Sequence, residues 1–239
     1  MLTRLCLIRH GETDWNAERR LQGQIDIPLN ALGVLQAKAA AESLYQDLLL
    51  NAFAAIYSSD LKRAHETATI IAHRLDLSVT ADSSLRERDY GDLQGLTIDD
   101  AELRYPEYRP RNRAPRNPEL VLPNGDSLQN FANTVRAGLT AIALRHPGQS
   151  VLVVSHGGVL DIAYRMATAM PLSAARDFPI ANATLNWIGF DAENRQKSDK
   201  TLESYGTRAT DDATEDGAWQ LLEWDQRAHL DISRDELPL

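Results

Sequence analysis

The sequence predicts an α/β fold, a three-layer α/β/α sandwich with a mostly parallel central sheet. Short apolar runs typical of strands alternate with segments of helical periodicity along its 239 residues. This alternation favours a sheet that is covered by helices on both faces. With 43% hydrophobic residues, the chain is long enough to build one domain with a full core.

The first half of the chain contains three strand patterns and two helical ones. Asn30 is a favourable N-cap for the first helix, and Ser58-Ser59-Asp60 offers caps for the second. The strands are predicted at Leu2–Ile8, Phe53–Tyr57 and Leu77–Thr80, and the helices at Ala31 to about Leu49 and Leu61 to about Leu75.

The second half begins with a short helix, which a weak capping box at Thr97 opens and Pro106 ends. Gly125-Asp126-Ser127 introduces a long helix to about Arg145. The last two strands predicted, Ala183–Phe190 and Ala218–Trp224, are candidates for an antiparallel edge of the sheet. Strands are predicted at Val151–Val154, Ala183–Phe190 and Ala218–Trp224, with a helix at Val159–Met166. We therefore expect a single catalytic domain over 1–225, a lid over 97–125 and a C-terminal tail over 226–239.

The net charge and the cysteine content of the chain limit its binding partners and its cellular compartment. The formal net charge of -9 argues against binding to nucleic acid or to an anionic membrane, because both attract Lys and Arg. The single cysteine, Cys6, lies in the first apolar run, so no intramolecular disulfide can form and the reducing cytosol is the natural compartment. No apolar run reaches membrane-spanning length. We expect a cytoplasmic protein whose oligomeric state is open, a homodimer being one alternative.

Two histidines follow two predicted strands directly. Arg9-His10-Gly11 stands after the first strand, and Ser155-His156-Gly157-Gly158 stands after Val151–Val154. Ligand sites of open α/β sheets lie at the carboxyl ends of strands. Arg63 falls in the first turn of the helix after Ser58-Ser59, and Glu87 lies on a loop. We therefore predict one pocket that holds these five side chains: Arg9, His10, Arg63, Glu87 and His156.

These residue types suit phosphoryl transfer without a metal. The transfer needs positive charge around the equatorial oxygens and an in-line nucleophile. Arg9 and Arg63 can supply the charge through bidentate hydrogen bonds. His10 is the preferred nucleophile, His156 a phosphate ligand, and Glu87 the general acid and base. Gly157 and Gly158 open a helix, so their amides are expected to approach the same phosphate.

Four segments together resemble the histidine phosphatase superfamily, the phosphoglycerate-mutase-like group: Leu7–Asn16, Ser58–Ala68, Leu85–Glu87 and Ser155–Gly158. The resemblance covers about residues 2 to 190. It implies the fold of that group, a covalent phosphohistidine at His10, phosphate ligands Arg9, Arg63 and His156, and acid/base Glu87. It also implies that Asn16, Gln22 and Gly23 line the entrance for phosphate or substrate.

The reaction is predicted to be hydrolysis of a small phosphorylated metabolite, with no cofactor. Ile98 stands near the place where the mutase branch carries a lysine for the phosphoglycerate carboxylate, and Ser-His-Gly-Gly is more typical of phosphatases. A 2,3-bisphosphoglycerate-dependent phosphoglycerate mutase stays an alternative, because arginines of the insert could bind that carboxylate: Arg109, Arg111, Arg113 and Arg116. A non-catalytic phosphate-recognising protein is a weaker alternative. No metal is expected, since His65, His73, His146 and His229 lack metal-ligand spacing.

Overall fold

The computed structural model describes residues 1–47, 52–108, 115–193 and 218–231. Six strands form one sheet in the order β3-β2-β4-β1-β5-β6. Neighbours from β3 to β1 are parallel, whereas β5 pairs antiparallel with β1 and β6 antiparallel with β5. The strands are β1 Leu2–Arg9, β2 Phe53–Ser58, β3 Val79–Ala81, β4 Ser150–Ser155, β5 Leu185–Asp191 and β6 Trp219–Gln226. The predicted α/β fold and its antiparallel edge are confirmed.

Six α-helices with described bounds accompany the sheet in the described part of the chain. The bounds are α1 Asp14–Ala17, α2 Ala31–Gln46, α3 Lys62–Leu75, α4 Ile98–Arg104, α5 Leu128–Arg145 and α6 Gly157–Thr168. Five of the six were predicted, α4, for example, with Thr97 as its N-cap and α5 with Ser127. Helix α1 was not predicted from the sequence. The predicted end of α2 near Leu49 lies outside the described residues.

The side chains of β1 divide the core into two layers, because successive residues of a strand point to opposite faces. Leu5 and Leu7 pack with α5 and α6, and Cys6 and Ile8 pack with α2 and α3. All four side chains are fully buried. Burial also raises the pKa of the Cys6 thiol, so Cys6 is a core residue in this fold.

The strand boundaries differ from the prediction by one or two residues, and β5, for example, begins at Leu185 rather than Ala183. The third strand begins at Val79 rather than Leu77, because Asp76 takes a left-handed conformation after α3 and the Leu77 amide donates to Ala72. The last strand continues to Gln226. Beyond it, a 3₁₀ turn over Ala228–Leu230 packs Leu230 against the α2 and α3 side of the core.

The segment predicted as a lid is joined to α6 by a buried ion cluster. Asp161 lies between Arg116, at 3.2 Å, and Arg165, at 3.3 Å. All three side chains are buried. Arg116 therefore has a buried carboxylate partner, which does not fit its predicted task as a ligand for substrate. The other insert arginines of that hypothesis, Arg109, Arg111 and Arg113, lie outside the described residues.

Within the described ranges, no helix combines the length and the apolar character that crossing a membrane requires.

Candidate active site

A cavity of about 410 Å³ opens at the carboxyl ends of the parallel strands. Its inner wall includes four of the predicted site residues, Arg9, His10, Arg63 and Glu87. They come from the end of β1, from the first turn of α3 and from the loop before α4. The parallel topology explains this meeting, because strands that run the same way end at the same edge.

His10 is held in a defined tautomer. Its Nδ1 lies 2.7 Å from the carbonyl oxygen of Gly11, and a carbonyl only accepts, so Nδ1 carries the hydrogen and Nε2 the lone pair. Burial, followed by the nearby charges of His156, Arg63 and Arg9, lowers the pKa of His10 well below 6.5. The ring is therefore neutral at physiological pH, the state that a base or nucleophile requires.

The loop after His10 is packed too closely for larger residues. A Cβ on Gly11 would lie 2.3 Å from the carbonyl oxygen of Gly33 at the start of α2. The His10 amide donates to Ser155 O at 2.9 Å, and Asn182 Nδ2 donates to His10 O at 2.7 Å. These backbone contacts fix the position of the imidazole.

Arg63 is locked by the loop that faces it. Its Nη1 donates to Ile25 O at 2.8 Å and its Nη2 to Gly23 O at 2.7 Å, while Nε has no hydrogen-bond partner among the described residues. Burial lowers the pKa of Arg63 to about 10, against the opposing effects of Glu87 and Asp26. The guanidinium stays charged at pH 7 and keeps Nε–H and its remaining hydrogens for an anion.

Arg9 is anchored in a similar way, since its Nη1 donates to Ile180 O at 2.8 Å. The cavity wall thus presents two guanidinium groups beside the His10 imidazole. Positive charge placed in this manner suits a phosphoryl group, whose oxygens carry the negative charge during transfer.

Glu87 is oriented by two backbone amides. Its Oε1 accepts from Arg88 N at 2.9 Å and its Oε2 from Gly158 N at 3.0 Å, at the first turn of α6. The expectation that Gly158 directs its amide at phosphate is wrong, because Glu87 takes that amide. Arg86 does not pair with Glu87, since its guanidinium binds Asp60 through two hydrogen bonds.

The Glu87 loop is fastened to β4 through one residue. Ser155 Oγ donates to Leu85 O at 2.7 Å, and the same residue's carbonyl accepts from the His10 amide. Gln24 Nε2 adds a bond to Glu87 O at 3.3 Å. The acid/base candidate and the nucleophile candidate are therefore held by one residue of the sheet.

His156 does not line the cavity. Its ring is fully buried, with its centroid 5.2 Å from that of His10, and its Nε2 lies 2.8 Å from Ser59 Oγ. Gly157 is buried as well and does not line the cavity either. His156 therefore lies next to His10 but outside the cavity wall.

The predicted entrance residues Asn16, Gln22 and Gly23 all line the cavity. Gln22 is buried, and its Oε1 has no hydrogen-bond partner in the described part of the chain, which leaves the carboxamide for a substrate. Asn16 has a local task too: its Oδ1 accepts from Thr13 in the capping box that opens α1. Gly23 has a φ of +52°, a conformation that glycine adopts without strain.

The outer wall of the cavity contains residues that the sequence reading did not select. Most of them are charged or aromatic: Trp15, Arg19, Arg20, Tyr90, Asp99, Glu102, Tyr108 and Arg176. Asp99 and Glu102 lie three residues apart on α4, so they share a helix face. That spacing was visible in the sequence, whereas nothing near Arg176 indicated that its segment reaches the cavity.

Among the described residues, no group of three or more His, Cys, Asp or Glu side chains is arranged to hold a metal ion. The positive charges of the inner wall come from Arg9 and Arg63.

Comparison with known proteins gives one consistent result. The family model described as the histidine phosphatase superfamily (branch 1) matches residues 5–201. The chain is 39% identical to "Phosphoglycerate mutase-like protein 4" of Arabidopsis thaliana, covering 76% of this chain and 77% of the relative. It is 38% identical to the "Metal-independent phosphoserine phosphatase" of the same plant, covering 78% and 76%. Among solved structures, a mycobacterial glucosyl-3-phosphoglycerate phosphatase in complex with VO3 matches with a TM-score of 0.71 and 29% identity, over 93% of this chain and 98% of that one.

Proposed function

Since this chain belongs to the histidine phosphatase superfamily (branch 1) and is an enzyme of the phosphatase type, we propose that it hydrolyses phosphomonoesters of small metabolites through a phosphohistidine on His10. The observation that carries the proposal is the hydrogen bond from His10 Nδ1 to Gly11 O. It leaves Nε2 with a lone pair in a cavity that Arg9, Arg63 and Glu87 also line. No metal or cofactor takes part in the proposed reaction.

In the first half-reaction, His10 Nε2 attacks phosphorus in line with the ester oxygen. The N–P bond forms as the P–O ester bond breaks, and protonated Glu87 gives its proton to the leaving alkoxide. Arg9 and Arg63 stabilise the charge on the equatorial oxygens. The amides of Arg88 and Gly158 stabilise the carboxylate that Glu87 becomes.

In the second half-reaction, water attacks the phosphohistidine and Glu87 takes its proton. The P–O bond to water forms, the N–P bond breaks, and inorganic phosphate leaves with Glu87 protonated again. During this cycle the phosphorylated ring keeps its Nδ1 hydrogen on Gly11 O, which stabilises the positive charge of the ring. The protein returns to its starting state with one water consumed.

The side chains that α4 contributes to the cavity favour hydrolysis over the mutase alternative. Where a mutase of this superfamily would need a cation for the phosphoglycerate carboxylate, α4 contributes Ile98, Asp99 and Glu102 to the cavity. Arg116 pairs with Asp161 and does not line the cavity. The carboxylate of a phosphoglycerate therefore meets two carboxylates on this helix, whose negative charge opposes its own.

The same wall guides the choice of a first substrate. Carboxylates at Asp99 and Glu102 share the cavity with guanidinium groups at Arg19 and Arg176, and with Arg20, which pairs with Glu18. A wall with charges of both signs suits a leaving group that also carries both. A phosphorylated amino acid has such a leaving group. We propose O-phosphoserine as the first physiological candidate. For comparison, glycerol phosphate has an uncharged leaving group and 3-phosphoglycerate has an anionic one.

The test combines turnover with direct detection of the intermediate. Purified protein is mixed with each substrate in the presence of a chelator, quenched in alkali within one turnover and analysed by mass spectrometry of the peptide that contains His10. We expect a base-stable phosphate on that peptide and release of inorganic phosphate. His10→Ala should show neither, while His65→Ala, which replaces an exposed histidine outside this cavity, should show both.

An active enzyme without the phosphopeptide would contradict the covalent mechanism. Interconversion of 2- and 3-phosphoglycerate that outpaces phosphate release, or marked stimulation by 2,3-bisphosphoglycerate, would support the mutase instead. Activity that the chelator abolishes and a divalent ion restores would contradict the metal-free reaction. Absence of both turnover and labelling with every phosphomonoester would favour a binding protein.

A further inference from the structure

Ser59 contacts Nε2 of His156. The residue is fully buried and directly follows β2, and its Oγ lies 2.8 Å from His156 Nε2. Its own amide donates to Val154 O at 3.0 Å, so β4 fixes the backbone of Ser59. The contact between the hydroxyl and the imidazole is therefore part of the sheet edge that carries the candidate active site.

The hydrogen bonds of Ser59 assign the direction of this contact. Ser59 Oγ accepts from the Leu61 amide at 3.3 Å, and its hydroxyl hydrogen needs an acceptor because the group is buried. Within the described residues, His156 Nε2 is the acceptor that lies within hydrogen-bond distance. If Nε2 carried a hydrogen, the Ser59 hydroxyl hydrogen would be buried without an acceptor, at a cost in free energy. Ser59 therefore donates, and Nε2 accepts.

This direction determines what His156 can offer. A neutral imidazole that accepts at Nε2 carries its hydrogen at Nδ1. Both histidines then share the Nδ1–H tautomer, but different partners impose it: the Gly11 carbonyl on His10 and the Ser59 hydroxyl on His156. A phosphate ligand must donate a hydrogen bond, and in His156 the hydrogen for this purpose is on Nδ1.

We propose that Ser59 is a positioning residue that fixes His156 as the Nδ1–H tautomer, so that His156 donates to the phosphoryl group carried by His10. This inference rests on the proposed function. In the free protein the His156 ring does not line the cavity, and its centroid is 5.2 Å from that of His10. The donor therefore acts once the phosphoryl group is being transferred to His10, not when the substrate first binds.

Ser59→Ala tests the proposal, with Ser58→Ala as the matched control. Ser58 is the preceding residue and equally buried, but its hydroxyl donates to the backbone carbonyl of Ser59 rather than to His156. We expect Ser59→Ala to lose about 10- to 100-fold in kcat, the range typical when the partner that orients a functional imidazole is removed. KM should change little, because the substrate ground state does not contact His156. Ser58→Ala should keep both constants near the wild-type values.

A spectroscopic measurement separates positioning from a general structural effect. In ¹⁵N-histidine-labelled protein, the protonated and bare ring nitrogens resonate far apart, so the His156 tautomer can be read directly. We expect the Nδ1–H form in the wild type and in Ser58→Ala, and a shift towards the Nε2–H form in Ser59→Ala. The His10 resonances should keep the Nδ1–H pattern in all three proteins, which also reports an intact fold.

An unchanged His156 tautomer in folded Ser59→Ala would overturn the proposal, as would wild-type kcat in that variant. An equal loss of kcat in Ser58→Ala would overturn it too, because the effect would then come from the strand end. Failure of the proposed function has a different appearance: the wild type would form no phosphohistidine. The tautomer measurement would still decide the role of Ser59 in that case.

Discussion

Glu87 Oε2 accepts a hydrogen bond of 3.0 Å from the Gly158 amide, and a Cβ added to Gly158 would lie 1.9 Å from Glu87 Oε1. The acid/base candidate and the first turn of α6 are thus in direct contact, with no room for a methyl group. Glycine is required at position 158 because the Glu87 carboxyl group approaches its Cα closely, not because of its backbone conformation. Any larger residue at 158 must displace the carboxyl group.

Gly158→Ala is therefore expected to impair catalysis through Glu87. We predict a loss of kcat with an alkyl phosphate that approaches the loss in Glu87→Gln, and a double variant no worse than the more impaired single one, because both changes remove the same group. Steady-state kinetics of the three variants measure this. Losses that multiply in the double variant would show that Gly158 acts independently of Glu87.

Glu87→Gln tests the proton transfer itself. General acid catalysis contributes about 10²- to 10⁴-fold where the leaving group needs a proton. We expect a loss in that range for phosphorylation by an alkyl phosphate and a much smaller one with para-nitrophenyl phosphate, since nitrophenolate leaves unaided. Single-turnover formation of phosphohistidine with each substrate gives the comparison. Equal losses would assign Glu87 a structural role only.

Arg63→Lys is expected to restore little of the activity that Arg63→Ala loses. Arg63 donates to two backbone carbonyls and still keeps Nε–H for an anion, and a lysine ammonium cannot reproduce this planar arrangement. For Arg63→Ala we predict a loss of about 10²- to 10³-fold in kcat/KM, as for removal of an oxyanion donor. Lysine activity near the wild-type value would mean that charge alone suffices at this position.

His10 should stay neutral in moderately acidic solution. Burial, His156 and the two arginines lower the pKa of His10 well below 6.5 in the folded protein. Below pH 6.5 the unfolded chain therefore takes up a proton at this residue that the folded chain does not, so this contribution to stability is present above pH 6.5 and is lost as the pH falls. A ¹⁵N NMR titration of folded and denatured protein measures both states. Titration of His10 near pH 6.5 in the folded protein would contradict the prediction.

Asp161→Asn should destabilise the fold strongly. The change leaves the buried arginines Arg116 and Arg165 without their carboxylate, and breaking a buried ion pair on one side costs about 3–5 kcal/mol. Denaturant unfolding measures the loss, and Glu42→Gln, at the exposed pair with Arg74, serves as a control with little change. Equal stability of the two variants would show that the cluster contributes no more than a surface pair.

The sequence predicted those parts of the fold and site that have a local signal. His10 and His156 follow apolar runs, and Arg63 lies in the first turn of the helix after β2, so their placement at the sheet edge could be inferred from neighbouring residues. The predicted caps Ser58-Ser59-Asp60 were wrong, because Leu61 is the N-cap of α3 and no side chain caps it. The predicted family is confirmed by the match over residues 5–201. Helix α1 was not predicted because its capping box pairs Thr13 with Asn16. The usual capping box has Glu or Gln at the third helical position, where this chain has Asn16.

Other parts of the site depend on contacts between distant residues. Gly158 and Glu87 are 71 positions apart, and Asn182 and His10 are 172 apart. Nothing in either local sequence indicates such a partner, because the sheet order brings the segments together. For Arg116 the local signal was misleading. The arginine-rich segment suggested substrate binding, but this arginine forms a buried ion pair with Asp161.

The double attachment at Ser155, whose carbonyl holds His10 and whose hydroxyl holds the Glu87 loop, separates two kinds of evolutionary change. The candidate nucleophile and the candidate proton donor are both positioned by β4. In contrast, the charges proposed to meet a leaving group lie on α4 and on the segment that contains Arg176. Substitutions on those outer segments can alter which ester is accepted while the spacing of nucleophile and proton donor stays constant. A scaffold of this kind can acquire new substrates without rebuilding its chemistry, which fits relatives that bear the names of both phosphatases and mutases.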